Sequence, residues 1–430
     1  MNDGISRNIA RAVDAAIKFH AKDAINLLRQ LIRIPSVNHP PTGDEAAVQG
    51  FYYKYLKKSG LAPILSDATR VRAFAGHPGR LKDHWMKGRP NVTARIKGAG
   101  GAKSLMLVAH ADVESPGDMN LWWKKNPFSA RLYKGRIYGR GAGDDKHGMM
   151  VNAMVPVILK TAGIRLKGDL ILASVADEEQ GGSNGAVALM AAGHRADAVV
   201  NADGCNLDLS ISNLGGGHGI IDLTADSVCN DSSALVEYFK KISERLLVLR
   251  ERRRKLFLAS PLYQPPVFSK RTLWLTDIKL ATQEQSKGCF KFWFYILPGE
   301  NPREFKESVM EALRPLQKKG GEFHIRWMTR FVPPSSVPEN HPFVQVFGKA
   351  FSMAKGSAPR ITGSFMSDMG FLNRYGGYPC ITFGAARWGR AGAVHEPNEF
   401  IDIGDLMVCL KSVIYAVLIW CGHEENKEEW

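Results

Sequence analysis

Two histidines and a set of carboxylates stand where a chain can present them together. His110 and Asp112 follow the apolar run Leu105 to Ala109. Residues two apart in an extended segment share a face, and a metal-binding imidazole needs a carboxylate to fix its tautomer. Asp144 and Asp145 sit in Gly139-Arg140-Gly141-Ala142-Gly143-Asp144-Asp145-Lys146-His147-Gly148, a glycine-rich turn ahead of a helical pattern. A phosphate loop would offer donors there rather than paired acids, and the Walker spacing is absent. Asp177-Glu178-Glu179 closes another apolar run. Consecutive acids repel one another unless a cation offsets them or one keeps its proton as a base. Asp203 ends a further run, and His395 lies in Val394-His395-Glu396-Pro397-Asn398-Glu399. Singly, each group also reads as a core histidine or a solvated turn. Together they are hard and borderline donors suited to Zn²⁺, Mn²⁺ or Co²⁺.

The elements that must carry them follow from periodicity. Residues 104–109, 169–176 and 198–202 read as buried strands, and 149–162 and 184–192 as helices between them. A helical pattern over 21–33 ends at Ile34-Pro35. Strand–helix alternation predicts an α/β fold, a mostly parallel sheet covered by helices on both faces. Ligands then gather at the carboxyl ends of the strands, where four of the groups stand. After a glycine-rich boundary near Leu214 the pattern becomes strand (218–228), long helix (232–257), strand (273–283), strand (289–297), helix (301–319) and strand (323–331). The organisation expected is residues 1–214 and 333–430 as one catalytic domain, with 215–332 inserted as a small α+β lid. Helix (342–355), strand (379–383) and helix (403–420) resume the first style.

The bulk properties fit a two-domain globular protein. The chain has 430 residues, 45% hydrophobic and 23% charged, which excludes disorder. The net charge is +15, a balance that attracts anionic partners. The densest basic run, Arg250 to Lys255, lies in the long helix and reads as a solvated face. No nucleic-acid motif accompanies it, so nucleic acid is not the expected partner. Six separated cysteines without a CxxC argue against a disulfide scaffold and a thiolate zinc site. No secretory pattern opens the chain. The apolar run 406–420 contains Lys411 and is short for a membrane span. No membrane partner and a cytoplasmic location are therefore expected.

The ordered segments HADV, GRGAGDDKHG, DEEQGG, NADG and HEPNE resemble the M20 metallopeptidases, a group that includes deacetylases, desuccinylases, aminoacylases, carboxypeptidases and dipeptidases. The resemblance runs from the IPSV segment at Ile34 to the terminal helix. It implies one or two divalent metals, with Asp144 bridging two of them. His110 and Asp203 would complete one site, and Glu179 and His395 the other. Glu178 would be the general base, with Asp112 beside His110 as its orienting partner. Metals about 3.5–4 Å apart lower the pKa of a bridging water and polarise a carbonyl. The reaction implied is hydrolysis of a C–N bond in an N-acyl amino acid or small peptide-like substrate. The inserted segment would be a lid through which the protein forms a homodimer.

Two features depart from that pattern. The lid histidine expected about thirty residues past Asp203 is missing; the stretch reads Val228-Cys229-Asn230-Asp231, where Asn230 offers one donor. The lid strand that often carries an arginine for a substrate carboxylate reads Phe292-Trp293-Phe294-Tyr295-Ile296-Leu297. Arg326, Arg374, Arg387 and His218 are possible substitutes. The departures, with Trp122, Trp123, Trp293 and Tyr295, point to an atypical and aromatic small molecule. An aminohydrolase that releases ammonia from an aromatic amine on the same metal site is one alternative. Gly181-Gly182-Ser183-Asn184-Gly185 matches a serine nucleophile elbow, with Asp368 and His395 in the right order. A serine hydrolase and an inactive binding protein are the remaining alternatives.

Overall fold

The structure, a computed structural model, describes residues 4–225, 233–264, 266–280, 287–317, 321–389 and 392–425. Contacts divide the chain into two compact units. One is Met1–Ile211 with Val337–Ile361 and Ser367–Trp430; the other is Ser212–Ser336 with Thr362–Met366.

In the first unit, four strands run parallel in the order Cys380–Thr382, Ala198–Asn201, Leu105–His110 and Leu170–Val175. Every residue of these strands is buried, which is why they appear as near-continuous apolar runs. Pro90–Ile96 and Ile64–Asp67 add to one side antiparallel, and Leu209–Asn213 to the other. The expected parallel sheet is therefore parallel only at its centre. Its flanking strands mix polar with apolar residues and lack the continuous runs that reveal a buried strand. Lys146–Thr161 and Ile403–Cys421 pack against Leu105–His110, while Glu45–Lys58 and Asn184–Ala191 pack against Pro90–Ile96.

Because the central strands are parallel, their carboxyl ends open at the same edge. His110 is the last residue of its strand, Asp177 follows two residues after Val175, and Asp203 two after Asn201. The helical pattern expected over 21–33 is the second half of a longer helix, Arg7–Arg33, whose buried stripe includes Ile9, Val13, Leu27, Leu28 and Leu31. Ile403–Cys421 is long and apolar enough by composition to cross a membrane. Most of it is nevertheless buried in the unit, and its Lys411 pairs with Asp14 at 2.6 Å.

The second unit is a four-stranded antiparallel sheet in the order Leu273–Leu280, Lys287–Ile296, Gly215–Ala225 and Gly321–Trp327. Two helices, Ser233–Ala259 and Pro302–Leu313, cover one face. Their Leu235, Ile242, Phe305 and Val309 pack with Ile221, Phe290, Phe292 and Phe294 of the sheet. The Phe294 and Phe305 rings stack with centroids 4.0 Å apart.

The basic run in the long helix is not simply a solvated face. Arg253 is 4% exposed; it donates to Glu300 at 3.0 and 2.9 Å and to the Tyr295 carbonyl at 2.7 Å. A guanidinium one turn from Leu249 and Phe257 faces inward with them, and its carboxylate partner makes that burial possible. Arg253→Ala is expected to destabilise the protein by about 3 kcal/mol, because it strands Glu300 and a buried carbonyl. Exposed Arg252→Ala should change stability by less than about 0.5 kcal/mol. Urea denaturation of both variants, compared with the parent, measures the difference.

Candidate metal centre

Asp144 lies between the two histidines. Its Oδ1 is 2.7 Å from His110 Nε2 and its Oδ2 is 3.0 Å from His395 Nε2. Two donor groups share this carboxylate: His110, Asp144 and Asp203 make one, and Asp144, Glu179 and His395 the other. Within each, the possible ligand atoms lie within 4.8 Å of one another. Glu179 Oε2 approaches His395 Nε2 at 3.2 Å, and Glu178 Oε2 lies 3.9 Å from His110 Nε2. The five residues expected as ligands and the expected base thus converge on one place.

The local chain is bent sharply to present them. Asp177, Gln180 and Ser183 all have positive φ, at 64°, 59° and 53°, a region that side chains adopt at a cost and that clusters at functional sites. Gly182 is required in this turn, since a Cβ there would lie 2.3 Å from the Asp177 carbonyl. The acidic turn is held from below by a buried network. Arg89 grips Glu45 through Nε at 2.9 Å and reaches Asp177 Oδ1 at 2.8 Å, the same oxygen His84 approaches at 2.8 Å.

Asp112 is buried beside His110, but its carboxylate does a different job from the one expected. Its oxygens accept the backbone N–H of Glu178 at 3.1 Å and of Glu179 at 2.9 Å, and the Asn38 amide at 2.8 Å. The His110 ring nitrogen Nδ1 is instead 3.0 Å from the Asp112 backbone carbonyl, with the carboxylate at 3.6 Å. The carboxylate reaches across to the neighbouring strand end, where it satisfies two buried backbone N–H groups of the turn. Burial would raise the Asp112 pKa, but His110, Arg89 and Asn38 outweigh it and hold the group near 2.

The centre concentrates buried negative charge. Burial raises the Glu178 carboxyl well above its ordinary value, and Asp203, Asp368 and Glu179 add to the rise although His110 opposes it. Asp203 is raised likewise by burial and by Asp144. Glu179 is pushed up to about 7 by burial, with Asp144 adding to it and His395 opposing. Burial disfavours a charged His110, yet the Asp112 and Asp144 carboxylates raise its pKa well above the usual value. The arrangement therefore favours positive charge between these side chains. Glu179 Oε1 is buried with no hydrogen-bond partner among the described residues. A divalent cation answers both features, so the donor set fits the metal the sequence implied.

Several residues important here were not singled out from sequence. Asn38, Glu45 and Arg89 lie outside the ligand motifs and converge only in the fold. Arg140 and Glu399 sit inside the motifs, and Glu399, four residues past His395, carried a signal that went unused. Among the expected substitutes for the missing lid groups, Arg326 is engaged by Asp222 at 2.6 and 2.9 Å, and Arg387 pairs with Asp402. Arg374 is exposed on the helix Asp368–Gly376. The His218 ring lies 4.8 Å from that of Trp293. Asn230 lies outside the described residues. Trp122 is core rather than binding surface: it is 4% exposed and donates to the Pro116 carbonyl at 2.7 Å. Tyr295 is buried and Trp123 is exposed. The serine elbow does not assemble. Ser183 is buried at a helix start, and the histidine it would need points Nε2 at Asp144 and Glu179.

His147 lies beneath the centre, fully buried, and its Nε2 accepts the Ala385 backbone N–H at 3.1 Å. Burial lowers its pKa to about 4, against the opposing field of Asp144. Below pH 6.5 the unfolded chain takes up a proton that the folded chain refuses until about pH 4. This stability is complete above pH 6.5 and is lost as pH falls through that window, about 3 kcal/mol in all. His147→Asn is expected to flatten the decline of melting temperature of metal-free protein between pH 6.5 and 4, measured by calorimetry against the parent.

Comparison with known proteins shows the family of the chain. Residues 106–418 match the family model described as Peptidase family M20/M25/M40. The N-formyl-4-amino-5-aminomethyl-2-methylpyrimidine deformylase of Bacillus subtilis is 24% identical over 446 aligned positions, covering 96% of this chain and 97% of that protein. Among solved structures, the di-peptidase Dug1p of Saccharomyces cerevisiae has a TM-score of 0.74 at 15% identity, covering 98% of this chain and 100% of that one. The YXEP protein of Bacillus subtilis, described as a dinuclear metal-binding peptidase of the M20 family, has a TM-score of 0.59 at 15% identity, with coverage of 94% and 99%.

Proposed function

We propose, for a chain that belongs to peptidase family M20/M25/M40 and is a metal-dependent hydrolase of C–N bonds, that its two donor groups hold two divalent cations and that Glu178 is its general base. The observation carrying this reading is that Asp144 turns one carboxylate oxygen towards His110 and the other towards His395. His110 and Asp203 would complete one group, Glu179 and His395 the other. Zn²⁺, Mn²⁺ and Co²⁺ suit this mixture of imidazole and carboxylate. Bound cations supply Lewis acidity to the scissile carbonyl and acidify water.

Proton transfer falls to Glu178. Burial raises its proton affinity well above that of an ordinary carboxylate, which suits a group that must take up a proton. Its carboxylate takes the proton of the attacking water and returns it to the leaving nitrogen as the C–N bond breaks. Asp112, by accepting the Glu178 and Glu179 N–H groups, keeps the base and its neighbour in register.

The substrate we assign is a small N-acyl derivative of an aromatic or heteroaromatic amine. The sequence lacks the lid histidine and strand arginine that hold ordinary acyl amino acids. Arg326 and Arg387 are already paired with acids, and the full-length deformylase relative is named for a formylated aminopyrimidine. The charge of +15 favours an anionic group on the substrate. The inserted segment forms the dimer contact in this reading. Cys205, Cys289, Cys380, Cys409 and Cys421 are free thiols, in keeping with a cytoplasmic location.

Plasma mass spectrometry of gently purified protein should find two Zn, Mn or Co ions per chain, and Asp144→Ala should lose them. Glu178→Gln should keep the metal and lower kcat by about 10²–10⁴-fold. A protein that binds no metal after reconstitution overturns the reading. Turnover of a panel of formamides of aromatic amines, acyl amino acids, dipeptides and nitroanilines ranks the substrates. Formamides are expected to lead, and faster turnover of ordinary acyl amino acids refutes the substrate assignment.

A further inference from the structure

Arg140 and Glu399 form a buried ion pair that belongs to neither donor group. Arg140 Nη1 donates to Glu399 Oε2 at 2.6 Å, with side chains 2% and 0% exposed. The second carboxylate oxygen, Oε1, accepts the Gly143 N–H at 2.7 Å and the Asp144 N–H at 3.2 Å. Arg140 Nη2 donates to the His395 carbonyl at 3.1 Å and to the Ser115 carbonyl at 3.1 Å. One carboxylate thus holds the backbone of the shared residue, and one guanidinium holds the backbone of His395. The Trp122 ring lies 5.2 Å from that guanidinium and helps to keep water from it.

The two histidines depend on this pair unequally. His110 ends a strand registered against Val175, so the sheet ladder fixes its backbone. His395 sits on a loop at φ 65°, and its side chain is 41% exposed. Asn398 ties the same loop to the Leu121 carbonyl and Trp123 N–H, away from the acids. The loop's far end is joined to the Asp144 turn by the Gly139 N–H donating to the Glu399 carbonyl at 2.9 Å, and Arg140 ties the His395 backbone itself to that turn. A buried ion pair repays its desolvation only with good geometry and is weak as a source of stability. Its five hydrogen bonds to a carboxylate, backbone N–H groups and carbonyls are instead well suited to fixing orientation.

We infer that Arg140 and Glu399 are positioning residues selective for the Asp144–Glu179–His395 group, holding its histidine loop against its carboxylate, while the sheet positions the His110–Asp203 side. The inference rests on the two-cation reading above. Partners that orient metal ligands are typically worth about 10–100-fold in metal affinity.

The test is titration of metal-free protein with Co²⁺, by calorimetry and by the visible absorption of the bound ion, for the parent, Arg140→Lys, Glu399→Gln and His395→Ala. The parent should show two binding events. Arg140→Lys and Glu399→Gln should each leave one event within about threefold and weaken the other about 10–100-fold. Their absorption at one equivalent should match that of His395→Ala. Arg140→Lys keeps the charge and is the variant expected to fold if Glu399→Gln does not. Equal weakening of both events, or a lowered melting temperature with both affinities unchanged, overturns the inference and leaves the two-cation reading intact. A parent that binds no Co²⁺ overturns that reading itself.

Discussion

Everything near the centre depends on one electrostatic constraint: several carboxylates buried within a few ångströms of one another. Burial raises the proton affinity of Glu178, Glu179 and Asp203; Asp203 and Glu179 add to that of Glu178, and Asp144 adds to that of the other two. Desolvated like charges of this kind persist only where cations or directed hydrogen bonds compensate them. Arg89 serves the Glu45–Asp177 side of the cluster and Arg140 the Glu399 side. His110 and His395 face the carboxylates that neither arginine reaches. The two histidines, Asp144, Glu179 and Asp203 together have the donor chemistry of a metal centre.

The sheet makes this concentration possible without unravelling the chain. Three parallel strands, each buried end to end, deliver acidic or imidazole side chains at the same edge, where backbone N–H groups donate to a carboxylate among them. The turn after Leu170–Val175 bears the strain, with positive φ at Asp177, Gln180 and Ser183. Its backbone is repaid by Asp112 and Asn38 from the adjacent segments. A carboxylate that looked like a partner for a histidine is thereby a brace for the neighbouring loop.

The second unit follows different rules. Its antiparallel sheet keeps one face against two helices and leaves the other partly exposed, so its strands alternate rather than run apolar throughout. The same alternation sends Phe292 and Phe294 into the core and leaves Trp293 half-buried beside His218. The arginine-rich turn of its long helix contains a core residue, because Arg253 shares the inward face with Leu249 and Phe257.

Sequence by itself determined the α/β class, the central strands and the identity of the residues that meet at Asp144. Buried parallel strands must be continuously apolar, and acids placed at their ends are visible against that background. The ordered motifs did the rest by resemblance. What only the tertiary structure decided is which groups restrain those residues. Asn38, Glu45 and Arg89 come from polar stretches with no periodic signal, and they reach Asp112 and Asp177 across more than seventy residues of chain. The Asp112 carboxylate turns to the backbone of the next strand end, and Arg253 turns inward, because hydrogen-bond partners far away in sequence are near in space. Periodicity reports which face of an element is apolar; it carries no record of which distant donor satisfies a buried charge.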